Sequence, residues 1–461
     1  MGRPTQHADT TPEEAEKQAR ESIEEYAKAA REAGVTPLAG SQGHPRLIST
    51  RLPWGVKATE NGEQVFLKPD IDAMRREPEK FKADMALFKN KDDYPGLRDD
   101  ERKGTPEQIA RTVINRIKSN LKFMYCNMPT DIRDRAVLWY VGARRMVDRK
   151  AKETGLNDAA IAGVYAALSP QKDWFVNVYL GDRVIDIYTK QQNHPWDAEM
   201  EKGAKVALST DVNKKLLKKI RGKTLGELTD PMEKGAWIRA FDQSGIFRES
   251  KLDRSYRSVT PEGDYDGFVK TKGKGNPNAQ AAWQTAKNIA GAVMAIESNG
   301  DREVISKAMG AAHKVRSFYN NFLDPYSADD DVTIDTHATA AGWMLPLGNT
   351  AASVLHSLHS SPQKENAPKN FRNASESAYT GNSGLYGIYA TAYREAAHEL
   401  GLPPRALQSA VWEAQRGLYG EDRKALERAQ NVWADYREGT IDLAEAQRRI
   451  VSDGYKPPAW Y

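Results

Sequence analysis

Residues 105–125 read TPEQIARTVINRIKSNLKFMY. Ile109, Val113, Ile114, Ile117 and Leu121 recur at steps of three and four, the period of a helix with one buried face. The same texture continues through DIRDRAVLWYVGARRMVDRKAKETG (131–155) and DAAIAGVYAALSP (158–170), and it returns at 279–298, 301–323, 384–400 and 403–417. The predicted fold is therefore mainly α.

Toward the N-terminus the pattern is weaker. Thr11-Pro12-Glu13-Glu14 supplies a cap, a first-turn proline and first-turn acids, so a helix is expected from there to about Ala33, before Gly34. Residues 54–69 read as a hairpin around Glu60-Asn61-Gly62, because Asn-Gly suits a type I′ turn. A charged, proline-containing run at 76–104 reads as loop and short helix. Residues 190–278 hold QNHPWD, VTPEGDYDGF and GKGNPN, which suggest turns and a few strands. The expected division is an N-terminal extension (1–104), a first part of a helical core (105–189), a mixed basic insertion (190–278), a second part of the core (279–350) and a helical C-terminal region (351–461).

Apolar residues make up 39% of the 461, enough for a core, and no window approaches eighteen consecutive apolar residues, so no membrane span is expected. The first residues lack an apolar stretch of the secretory type. A cytoplasmic protein is expected, in the host cytoplasm if the chain is viral. The single cysteine, Cys126, excludes an internal disulfide and a Cys-rich metal site. The net charge of +4 is small, but six basic residues crowd 211–223, among them Lys218 and Lys219, and Lys270, Lys272 and Lys274 alternate in KTKGKG. Two such clusters point modestly to a phosphate-bearing partner.

Two segments stand out chemically. In ALSPQKDWFVN (167–177), Pro170 stops one helix and Asp173 is placed to cap the next, leaving Gln171 at an exposed corner. In DVTIDTHA (331–338), a β-favouring triplet leads to Asp335 at a helix start, a cap position that also holds a carboxylate at the mouth of whatever the helix faces. Asp329, Asp330, Asp331, Asp335 and His337 lie close enough in sequence for Mg²⁺ to be weighed, although a solvated acidic loop is the plainer reading and no resident cofactor is expected. Trp174, Trp283, Trp343 and Trp412 fall on apolar helical patterns and read as core. Tyr386, Tyr389 and Tyr393 read as packing, and His398 as surface.

The order of an S-x-Q-x-D-x-x-x-N corner, a helix carrying Lys314 four residues after Gly310, and Val332-Thr-Ile-Asp-Thr-His337 resembles the helix-hairpin-helix (HhH-GPD) DNA glycosylase superfamily. The resemblance covers roughly 105–185 and 279–350. It implies Gln171, with Asp173 and Asn177 beside it, near the space vacated by a flipped base. It also implies Lys314 as the nucleophile of a bifunctional enzyme and Asp335 as the catalytic carboxylate, with His337 adjacent. The family's Leu-Pro-Gly-x-Gly hairpin is reduced here to Ala308-Met-Gly-Ala-Ala312, and its four-cysteine cluster is missing. With the segment at 384–417, the pattern is also similar to bacteriophage proteins of thymine hypermodification, namely amino acid:DNA transferases and α-glutamyl/putrescinyl-thymine pyrophosphorylases.

That likeness implies a transferase. It would join glycine or another small amino acid, through its amine, to a 5-pyrophosphomethyl-uracil in double-stranded DNA, releasing pyrophosphate. Asp335 would then be a general base. Lys314, Arg316 or an insertion lysine would steady the leaving group, and Arg394 or Arg416 would hold the amino acid's carboxylate. The alternatives are a DNA glycosylase/AP lyase and a non-catalytic DNA-binding module in which Asp335 is only a cap.

Overall fold

Thr105 opens the helix predicted from the 105–125 pattern. Its hydroxyl accepts from the Gln108 N–H at 3.3 Å while Gln108 Oε1 accepts from the Thr105 N–H at 2.8 Å. Each such cap is worth roughly 1 kcal/mol, because helix-end donors have no partner within the helix. The computed structural model describes residues 51–52, 56–60, 63–170, 172–209, 211–248, 256–269, 283–310, 313–327, 329–358, 384–419, 424–452, 454–456 and 458. The expected helix at 11–33, Gln171 and Lys272 lie outside these residues.

The chain is mainly α-helical. After the hairpin β1 (Val56–Glu60) and β2 (Glu63–Leu67) come the short helices α1 (Ile71–Arg75) and α2 (Pro78–Ala86). Next are α3 (Pro106–Asn127), α4 (Thr130–Ala136), α5 (Trp139–Thr154), α6 (Asp158–Ala167) and α7 (Trp174–Lys190). They are followed by α8 (Ala198–Ala207), α9 (Asp211–Ile220), α10 (Pro231–Arg248) and a hairpin, β3 (Tyr256–Val259) and β4 (Tyr265–Val269). The remainder is α11 (Ala286–Glu297), α12 (Arg302–Met309), α13 (His313–Leu323), α14 (Thr336–Trp343), α15 (Ala352–Leu358), α16 (Tyr386–Glu399), α17 (Pro404–Tyr419), α18 (Ala425–Arg437) and α19 (Leu443–Val451). No helix among the described residues is long and apolar enough to cross a membrane.

The apolar residues gather into two large cores. Helix α3 is the spine of the first, with Val113, Ile114, Ile117 and Leu121 fully buried against α14, α16 and α17. Helix α6 is the centre of the second. Its faces are apolar all round, and it packs on α5, α7, α11, α12 and α13. The stretches expected from sequence texture do not each enclose a core of their own. Residues 351–461 share the first core with α3, and the helices of 190–278 share the second with α6 and α11.

Among its described residues, the region expected to be a mixed insertion is mostly helical, with three α-helices, a short 3-10 helix at Leu225–Glu227 and one hairpin. Met200, Gly203, Ala204 and Ala207 repeat at helical spacing and bury one face of α8. Gly203 lets α8 and α10 meet backbone to backbone. A Cβ there would stand 2.5 Å from both the Ala240 carbonyl oxygen and the Ser244 nitrogen. Gly203→Val is therefore expected to force the helices apart and cost about 1–3 kcal/mol. A urea midpoint that did not fall, at unchanged slope, would show the contact to be slack. On the other side of the region, the β3–β4 turn lies on α5, where a Cβ on Gly142 would collide with the Pro261 carbonyl.

Candidate active site

Helix α6 ends at Leu168, and the chain turns through Ser169-Pro170 into α7. Gln284 fixes the turn by donating from Nε2 to the carbonyl oxygens of Leu168, at 2.9 Å, and Pro170. Asp173 caps α7, accepting from the Val176 N–H at 3.1 Å. Trp174 and Asn177, three residues apart, then project on one side of α7.

The Val332–Ile334 triplet is extended but pairs with no strand. The hydroxyl of Tyr386 serves its backbone instead, accepting from the Ile334 N–H at 3.2 Å and donating to the Val332 carbonyl at 3.1 Å. Val332 and Ile334 are buried in the first core. Alternation turns Thr333 the other way, toward the cavity that Asp335 also lines. Asp335 caps α14, its Oδ1 accepting from the Ala338 N–H at 2.8 Å.

Lys314 reaches the same cavity from α13. Its ammonium donates to Ser169 Oγ at 2.8 Å and to the Ser169 carbonyl at 3.1 Å, and lies over the Phe318 ring at 4.6 Å. Burial pulls its pKa down to about 8, against the opposing pull of Asp335. Lys314 and Asp335 line one cavity yet form no ion pair with each other. Burial also lowers the His337 pKa, with Arg416 acting in the same direction and Asp335 and Asp173 opposing, so the imidazole is neutral at pH 7.

The walls are aromatic. Trp174 packs at 5.3 Å on Phe322 and at 6.1 Å on Phe318. Trp139 meets Trp412 edge-on at 5.8 Å, and Trp412 meets the His337 ring edge-on at 6.3 Å. Tyr140 donates to Gln408 Oε1 at 2.8 Å, and burial raises its phenol pKa. Arg416 lies over Trp412 at 4.6 Å and pairs with Asp173 at 3.7 Å. Atom-free space, open mouth included, is about 610 Å³.

Five of the sequence-derived residues thus converge, since Asp335, Lys314, His337, Asp173 and Asn177 all line this cavity. Trp174 and Trp412, expected to be core, line it as well and are half-buried, whereas Trp343 is fully buried as expected.

Arg316 is not in the site. It ties down the end of α12, donating to the Gly310 carbonyl at 2.6 Å and to Ser306 Oγ at 2.7 Å. It lies two positions after Lys314 on the helix, and a step of two turns a side chain to the far face. Lys218 and Lys219 are exposed on α9 outside the cavity, with Lys219 paired to Glu233 at 3.2 Å. Arg394 is buried elsewhere, donating to the carbonyls of Asp330 and Pro69 at 2.9 and 2.8 Å.

Three of the acids weighed for a metal, Asp329, Asp330 and Asp331, are held by side chains of the protein. Arg51 pairs with Asp329, at 3.0 Å, and with Asp331, while Lys68 and His398 take Asp330 at 3.4 and 3.2 Å. No three His, Cys, Asp or Glu side chains are grouped for a metal among the described residues. Sequence reasoning missed Trp139, Tyr140, Ser169, Lys172, Gln408 and Ser409. For Ser169, the neighbouring Pro170 corner was the available signal. Gln408 and Ser409 had none, because only the packing of α17 brings them in.

A family of unknown function (DUF7178) matches residues 104–226. No curated protein and no solved structure matches the chain. The matched stretch supplies one wall of the cavity, from Trp139 to Asn177, while Lys314, Asp335 and α17 lie beyond it.

Proposed function

We propose that the cavity receives a nucleobase turned out of double-stranded DNA and that the chain modifies it, joining the amine of a small amino acid to a 5-pyrophosphomethyl-uracil. The convergence of Asp335 and Lys314, from two different helices, on one aromatic-walled cavity carries this reading. Aromatic walls suit a flat heterocycle, and enzymes that act on a base must extract it from the stack.

An amino acid's α-ammonium cannot attack until it loses a proton, and Asp335 is the base for that proton. The neutral amine then bonds to the exocyclic methylene as the carbon–oxygen bond to pyrophosphate breaks, and the departing group keeps the electron pair. Lys314 meets the developing negative charge. Arg416 replaces Arg394 as the cation for the amino acid's carboxylate, because Arg394 is committed to backbone carbonyls elsewhere.

The depressed pKa of Lys314 favours a second reading, a glycosylase/lyase. An amine titrating at about 8 is partly neutral under physiological conditions and fit to attack C1′ of the sugar. One experiment separates the two. DNA carrying 5-pyrophosphomethyl-deoxyuridine is incubated with the protein and mixed amino acids, digested, and its nucleosides weighed by mass spectrometry. A nucleoside carrying one amino acid through its nitrogen in place of pyrophosphate is expected. A free base or a nicked strand with no such product would replace the transferase by the lyase.

A further inference from the structure

Asn177 carries a hydrogen-bonding amide that the fold does not use. It is 1% exposed, and neither Oδ1 nor Nδ2 has a partner among the described residues. One turn earlier on α7, the indole Nε1 of Trp174 is buried and equally unpartnered. Both side chains line the cavity. Buried polar groups are nearly always satisfied, so two unsatisfied neighbours on residues that line one cavity point to a ligand that completes them.

Three other polar atoms there are already engaged. Gln408 Oε1 accepts from Tyr140, Thr333 Oγ1 accepts from Asn321 at 3.2 Å, and Ser169 Oγ accepts from Lys314. What α7 offers is one fixed donor from Trp174, plus one donor and one acceptor from Asn177.

We propose that Trp174 and Asn177 read the imide edge of a keto pyrimidine. This rests on the flipped-base reading above and adds what selects the base. A uracil-type ring presents acceptor, donor and acceptor along O4, N3–H and O2. Asn177 Oδ1 accepts from N3–H, Nδ2 donates to one carbonyl, and the Trp174 indole donates to the other. A guanine edge, with two donors side by side, sets an amino group against the Asn177 or Trp174 donors. Cytosine fits only with the amide reversed. The unpaired amide is thus a specificity-determining group, distinct from the chemistry of Asp335 and Lys314.

The test uses the full chain and duplexes bearing one target nucleotide opposite an abasic site, with 2-aminopurine beside it to report eversion. The targets are 5-hydroxymethyl-deoxyuridine, its N3-methyl derivative and 5-hydroxymethyl-deoxycytidine. The expected wild-type result is roughly ten- to hundredfold tighter binding of the first than of its N3-methyl derivative, the discrimination typical of a bidentate contact, with the cytosine analogue bound through the reversed amide because no group among the described residues fixes that amide's orientation. Asn177→Leu should bind the unmethylated and N3-methylated targets alike. Asn177→Asp, which can only accept when ionised, should move the preference toward the cytosine analogue, and it serves alone if the leucine variant fails to fold. A rise in 2-aminopurine fluorescence without discrimination against the N3-methyl base overturns the edge assignment while leaving eversion intact. Failure to bind or evert any target overturns both.

Discussion

Asp335→Asn should lower amino-acid transfer by about 10²–10⁴-fold, the usual contribution of a positioned general base, with little change in stability. Asn and Asp are nearly equal as helix caps. The amide oxygen can still accept from the Ala338 N–H as Oδ1 does now. The substitution therefore keeps the cap and removes only the group able to take a proton. Measured on the pyrophosphomethyl substrate beside a urea titration, it separates the two roles of one carboxylate. Retained activity would reduce Asp335 to a cap. Lost activity accompanied by lost stability would leave the roles entangled and deny the clean division expected here.

Lys314→Met should move activity and stability in opposite directions. Holding the lysine in an apolar cavity lowers its pKa from 10.5 to about 8. Each unit corresponds to about 1.4 kcal/mol, so the charged form strains the fold by at most roughly 3 kcal/mol. Removing it forfeits two hydrogen bonds to Ser169, each worth about 1 kcal/mol net. A stability gain of about 1 kcal/mol at pH 7 remains, against a loss of about 10²–10³-fold in transfer if the lysine steadies the leaving group.

The pH dependence identifies the cause. Between pH 8 and 10.5 the unfolded chain still binds the lysine's proton while the folded chain has released it. Wild-type stability should therefore rise across that window, and the methionine variant should lack that component. Urea unfolding at pH 7.0 and 10.0 measures both, and identical pH slopes in the two proteins would refute the buried-charge account.

Much of the architecture was legible because local signals agreed with tertiary needs. The apolar stripe of α3, the Asp173 cap, the Asp335 cap and the pairing of 56–60 with 63–67 are each decided within a few residues, and each forms, while the Asn61-Gly62 turn expected between the strands lies outside the described residues. The helices of 190–278 were obscured by prolines, glycines and charge, although Met200, Ala204 and Ala207 carry the pattern once α10 is there to receive it. Arg316 was assigned to the site by nearness to Lys314 in sequence, where helical rotation separates them. Trp174 and Trp412 show the deeper limit. An aromatic at helical spacing looks the same in sequence whether it meets another side chain or an empty cavity. Which of these it meets depends on α17 and α13, distant along the chain.

The position of the cavity has its own consequence. Trp139 belongs to the first core, Tyr140 to the second, and Trp174 packs against both. The site is the seam between two oily bodies, and a guest lodged there acts as a keystone. It resists shear of one body past the other, and by mass action its grip adds to the cohesion of the whole chain. Occupancy should thus register in the rigidity of the scaffold far from any atom the guest touches.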